Sequence, residues 1–107
     1  MSKISKTPET PYCAVVFTSE RTEGDNGYEE MGEKMVRLAS QQPGFLGVES
    51  VRGEDGLGIT VSYWNSLEAI KNWKQNTEHK IAQDKGKKVW YKTFATRVSK
   101  LERDSFF

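Results

Sequence analysis

The chain predicts an α+β fold: a four-stranded antiparallel sheet with two helices on one of its faces. Three observations lead there. Four runs are rich in apolar, β-branched and aromatic residues, two stretches carry apolar residues at helical spacing, and together they follow the order β, α, β, β, α, β. That order is the split βαβ, or ferredoxin-like, plan.

Residues 1–11 are polar, hold two prolines and lack periodicity, which predicts a flexible N-terminal arm ahead of a single domain over 12–107. Tyr12 to Ser19 is a continuous apolar and aromatic run and reads as a buried first strand. A polar loop, Glu20 to Asn26, follows, and either Asp25 or Asn26 is placed to cap a helix whose first turn carries Glu29 and Glu30. Tyr28, Met31, Met35, Leu38 and Ala39 give that helix one apolar stripe, and Gln41-Gln42-Pro43-Gly44 ends it.

Phe45 to Arg52 and Gly58 to Trp64, joined by Gly53-Glu54-Asp55-Gly56, predict an antiparallel hairpin. Side chains alternate along a strand, so Ile59, Val61 and Tyr63 share one face while Thr60, Ser62 and Trp64 share the other. The Tyr63 side is the more apolar. The milder polarity around Trp64 assigns that residue to a seam between subunits. Asn65 is placed to cap the next helix with Glu68 at its third position, and Leu67, Ile70 and Trp73 form its inward stripe. Glu78 to Asp84 extends helical character until Gly86, and Trp90 to Arg103 makes a long last strand.

Bulk composition excludes several function classes. Sixteen basic and 15 acidic side chains leave a net charge of +1, which implies no nucleic-acid partner, and Lys85-Gly86-Lys87-Lys88 is too short to argue for one. Cys13 is the only cysteine, so neither an internal disulfide nor a thiolate metal cluster is expected, and a reducing cytoplasm is the natural compartment. No stretch reaches the ~20 apolar residues of a membrane span. Strand one is apolar on both faces, with Cys13, Val15 and Phe17 on one and Tyr12, Ala14 and Val16 on the other, whereas two helices cover only one. A homodimer packed sheet to sheet would cover the remaining face.

Several features together resemble the antibiotic biosynthesis monooxygenase family of dimeric α+β barrels: Gln42-Pro43-Gly44-Phe45-Leu46-Gly47-Val48 at the helix-to-strand turn, Ser62-Tyr63-Trp64 with Trp73, His79 followed by Gly86, and Trp90-Tyr91 leading to Arg97-Val98. The resemblance spans about Tyr12 to Arg103. It implies a small oxygenase that acts on an aromatic, polyketide-like or quinol substrate without a tightly held cofactor, or a non-catalytic ligand-binding dimer of the same fold. The haem-degrading branch is a third alternative. That branch pairs a strand-one asparagine with a helix-two tryptophan and a histidine ten residues beyond it. Here Trp73 fits, but Phe17 stands near the strand-one position and Gln83 occupies the tenth place.

His79, the only imidazole, is the first choice for a base near neutral pH, with Tyr63 the other proton-transfer candidate. Arg97, in mid-strand, would hold a substrate anion with Asn76 or else pair with Glu49 or Glu20. Trp73, Trp90 and Phe17 offer flat walls for an aromatic ligand, and each could equally serve as core.

Overall fold

A computed structural model of the chain describes residues 3–24, 27–76 and 89–107. Its elements run β1 (Tyr12–Arg21), α1 (Tyr28–Ser40), β2 (Phe45–Arg52), β3 (Leu57–Trp64), α2 (Leu67–Lys74) and β4 (Tyr91–Leu101). The sheet is antiparallel with strand order β2-β3-β1-β4. This is the predicted ferredoxin-like plan. Its central strands are β1 and β3, the two with the most continuous apolar and β-branched sequence.

Register sorts the side chains into two faces. Phe17 lies opposite Thr60 and Thr96, and Val15 opposite Ser62 and Val98, so these share a face with Cys13 and Trp64. That face meets the helices: Trp64 stacks on Trp73 of α2 with ring centroids 6.0 Å apart, and Met35 and Leu38 of α1 pack on the same cluster. The opposite face carries Tyr63, Val61 and Ile59 beside Ala14, Val16 and Thr18, with Arg97 across from Val16.

Trp64 is therefore not at a subunit seam. It is fully buried beneath α2 and makes an edge contact with Phe45 at 5.5 Å. The polar neighbours that suggested an exposed face have internal partners instead: Trp64 Nε1 donates to Ser62 Oγ at 3.0 Å, and the hydroxyls of Ser50 and Thr60 bond each other at 2.7 Å. A buried indole N–H needs an acceptor, and Ser62 supplies it.

The ends of the elements depart from the sequence reading in small ways. Strand β1 continues past Ser19, because Glu20 still pairs with Leu57 and the Arg21 N–H donates to Gly56 O at 3.1 Å. The cap of α1 is Gly27 at φ 82°, without a side-chain bond, while Asp25 and Asn26 lie outside the described residues. Helix α2 is capped by Ser66 rather than Asn65, its Oγ accepting from the Ala69 N–H at 3.1 Å, which moves Glu68 from the third helical position to the second. Asn65 serves the preceding turn: its N–H donates to Gly44 O at 2.8 Å. Gly44 has φ 90°, and a Cβ there would lie 2.5 Å from Asn65 Oδ1, so glycine is required. The buried stripe of α2 is Ala69, Ile70 and Trp73, and Leu67 faces solvent.

Part of the expected arm lies along the helix-free face. Ser5 donates from its N–H to Glu49 Oε2 at 3.0 Å and from its hydroxyl to Val48 O at 3.1 Å. Thr7 donates to Tyr12 Oη at 2.8 Å, and Tyr12 in turn donates to Asp104 at 2.6 Å, beyond the end of β4. Val51 and Ile59 remain exposed on this face, at 77% and 47%.

Candidate functional site

A cavity of about 760 Å³ opens between the helix-side face of the sheet and the two helices. Strand alternation supplies its floor from Val15, Phe17, Thr60 and Trp64, while α1 supplies Tyr28, Met31 and Met35, and α2 supplies Ile70 and Trp73. Trp90, Tyr91 and Phe94 close the end where β4 begins. The stripe of α1 is divided: Leu38 and Ala39 close on the core cluster, while Tyr28, Met31 and Met35 face the cavity. A space of this size and apolar character suits a small multi-ring ligand.

The rings are arranged in two groups. Trp64 lies over Trp73 with an interplanar angle of 27°, and Phe45 meets Trp64 edge-on. At the far end, Phe17 contacts Tyr91 and Phe94, each at 5.4 Å, and Tyr28 stands edge-on to both Trp90 and Tyr91 at 5.7 Å. Edge-to-face and offset contacts of this kind hold ring planes in fixed directions.

Polar groups collect behind the second set of rings. Arg52, the last residue of β2, reaches back under the sheet end and donates from Nη2 to Ser19 Oγ at 2.8 Å and to Tyr28 Oη at 3.3 Å. Its Nη1 donates to the carbonyl oxygens of Ser19 and Gly56. Ser19 is almost fully buried, and its hydroxyl has this bond to satisfy it. The Arg21 guanidinium lies 3.7 Å above the centre of the Tyr28 ring. Burial holds the Tyr91 phenol protonated well above its usual range, and its hydrogen bond to Tyr28 pushes the same way.

The residues singled out from sequence are divided by this geometry. Trp73, Trp90 and Phe17 all line the cavity. Tyr63 does not: it sits on the helix-free face, in edge contact with Tyr12 at 5.9 Å, and donates to Glu49 Oε1 at 2.6 Å. Burial, then that bond and the charge of Glu49, push Tyr63 up to about 12. Arg97 is exposed on the same face and borders a shallow recess of about 160 Å³ with Thr18 and Glu20. Solvent resolves the cost of a mid-strand charge. Glu49 stands in its register row but three strand spacings away, roughly 14 Å at about 4.8 Å per strand, too far to pair. Asn76 follows α2, its N–H bonded to Trp73 O at 3.1 Å, and is not among the lining residues. His79 and Gln83 lie outside the described residues.

Sequence reasoning missed Tyr28, Tyr91 and Arg52 as a group. Parity held a usable signal, since Arg52 alternates onto the same face as Val48 and Ser50. Nothing in the spacing showed that this face was the one the helices cover. Among the described residues no cluster of three or more histidine, cysteine or carboxylate side chains is placed to hold a metal, and the described cavity wall offers haem iron no imidazole or thiolate. No described helix is long and apolar enough to cross a membrane.

Residues 11–85 match the family described as antibiotic biosynthesis monooxygenase. An uncharacterised protein of Bacillus subtilis (strain 168), YqjZ, is 57% identical over 107 residues, covering 100% of this chain and 94% of its own. Among solved structures, SnoaB from Streptomyces nogalater, described as a cofactor-independent oxygenase, superposes with a TM-score of 0.76 at 12% identity, over 90% of this chain and 97% of that one. Rv0793 from Mycobacterium tuberculosis superposes with a TM-score of 0.75 at 12% identity, over 90% of this chain and 100% of the other. At such identities these two likenesses speak for the fold alone.

Proposed function

The chain belongs to the antibiotic biosynthesis monooxygenase family, and from that premise we propose that it oxidises a small, flat aromatic or quinol-like molecule with O₂, without a tightly held cofactor. The observation that carries this reading is the 760 Å³ cavity walled by tryptophan, tyrosine and phenylalanine rings. Such a wall binds a planar ligand by its faces and keeps water from the reacting carbon.

For a methylene carbon between aromatic rings the reaction is R₂CH₂ + O₂ → R₂C=O + H₂O. One proton leaves the carbon, and the resulting carbanion passes an electron to O₂. The two radicals join in a C–O bond, and the peroxide takes up the proton. Cleavage of the O–O bond with loss of the second C–H proton then releases water and the ketone. The protein's part is to orient the ring, lower the cost of the carbanion and hold the proton. Phe17, Trp73 and Trp90 serve as walls. The proton acceptor is assigned to His79 on its titration range alone.

Two chains are proposed to pack through their helix-free faces, where the exposed Val51 and Ile59 lie beside Val16 and Val61. Oxygen uptake with a panel of anthrones and hydroquinones tests the enzyme reading. One observation favours a non-catalytic alternative, a dimer that only binds its ligand: the described cavity wall is mostly apolar and its carboxylates, Glu29 and Glu33, sit on exposed positions of α1. That alternative gives ligand binding with no oxygen uptake.

A further inference from the structure

The end of the cavity where β4 begins carries more polar structure than an aromatic wall needs. Tyr28 opens α1, Tyr91 opens β4 and Arg52 closes β2, and the fold brings these three distant residues together. All four acceptors that Arg52 reaches (Ser19 O, Ser19 Oγ, Gly56 O and Tyr28 Oη) are neutral. Among the described residues its charge is thus held in place by oriented dipoles and is not cancelled by a carboxylate. A second guanidinium, that of Arg21, lies against the face of the Tyr28 ring.

The bond from Arg52 to Tyr28 is the informative part. A phenol oxygen has two lone pairs and one proton. Arg52 donates to that oxygen at 3.3 Å, on a ring that lines the cavity. A guanidinium donor on a phenol oxygen polarises its O–H bond and makes it a better donor in turn.

We propose that the Tyr28 hydroxyl holds the anionic oxygen of a flat hydroxyaromatic ligand, a phenolate or enolate, with Arg52 behind it as a positioning residue. This deepens the aromatic-oxidation reading and rests on it: the ring would lie toward Trp64 and Trp73, and its oxygen would meet Tyr28. Loss of a ring-flanked C–H proton places negative charge on such an oxygen. A preorganised donor with a guanidinium behind it stabilises that charge as it forms. Tyr28 keeps its proton throughout.

The test is a fluorescence titration with two probes of equal ring size: 2-hydroxy-1,4-naphthoquinone, which is an anion at neutral pH, and naphthalene, which has no oxygen. The wild type is expected to bind both. Tyr28→Phe should weaken the quinone about ten- to a hundred-fold, the loss of one hydrogen bond to a charged group, and leave naphthalene within about twofold. Arg52→Met should act in the same direction, with Arg52→Lys recovering part of the loss. The visible band of the quinone, shifted on binding to wild type, should return toward its free position in both Tyr28→Phe and Arg52→Met. Unchanged quinone affinity in Tyr28→Phe would overturn the inference and leave the aromatic cavity intact. Equal loss of both probes would make Tyr28 a wall residue and overturn it too. Failure of wild type to bind either probe would overturn both this inference and the reading it rests on.

Discussion

Replacing Trp64 by alanine removes the one large side chain of the described core with no exposed surface. The indole stacks on Trp73 at 6.0 Å, meets Phe45 edge-on at 5.5 Å and donates to Ser62 at 3.0 Å, so the change opens a hole between sheet and α2 and removes a hydrogen bond. Tryptophan-to-alanine changes in cores cost about 3 to 5 kcal/mol, and α2 has few other anchors, namely Ala69 and Ile70. Against a domain stability of about 5 to 15 kcal/mol, that loss takes a large part of the total. Ser62→Ala, which leaves the indole N–H without its acceptor, should cost about 1 to 3 kcal/mol. The assay is equilibrium urea unfolding followed by far-ultraviolet circular dichroism, at matched protein concentration because association of chains would itself add stability. A loss below about 1 kcal/mol for Trp64→Ala, with an unchanged denaturant slope, would refute the assignment of this face to the helices and return Trp64 to a surface.

Three further outcomes follow from the same geometry. Tyr63 ionises at its ordinary value of 10.0 when unfolded and near 12 when folded, so its contribution to stability is complete below pH 10 and is lost as pH rises through 12; Tyr63→Phe should flatten that part of the stability curve, as read by thermal melts across the range. Light scattering should give the mass of two chains, and Val51→Lys with Ile59→Lys should shift it toward one; a single-chain mass for wild type would contradict pairing through the helix-free face. Added haemin should produce no Soret shift that depends on His79, and a shift abolished in His79→Ala would instead favour the haem-handling alternative.

The order of elements was legible because each strand is a run of apolar and β-branched residues and each helix carries a stripe at helical spacing. Which side of the sheet the helices cover was not. Alternation separates Trp64 from Tyr63, yet it cannot tell a solvated polar face from one whose hydroxyls are spent internally, as Ser62 is on the Trp64 indole and Ser50 on Thr60. Choosing the more apolar face reversed Tyr63 and Trp64. Arg97 followed Tyr63 outward for the same reason. Trp73, Trp90 and Phe17, which line the cavity, are conspicuous by size. Arg52 and Tyr28 are not, since an arginine at a strand end and a tyrosine opening a helix become a pair only when distant segments meet. The cap of α2 missed by one residue, because Asn65 and Ser66 are adjacent and both good caps, and it is the Ser66 hydroxyl that accepts from the Ala69 N–H.

Oxygen uptake with an anthrone in ¹⁸O₂, corrected for the protein-free rate, decides whether the aromatic cavity oxidises a flat substrate with molecular oxygen. One O₂ should be consumed per anthrone, with one labelled atom in the ketone and a rate at least about tenfold lower in Trp73→Ala, whose missing ring leaves the substrate poorly oriented. No uptake above background with any anthrone or hydroquinone, from protein shown to be folded, would contradict that role of the cavity, as would uptake that Trp73→Ala leaves unchanged.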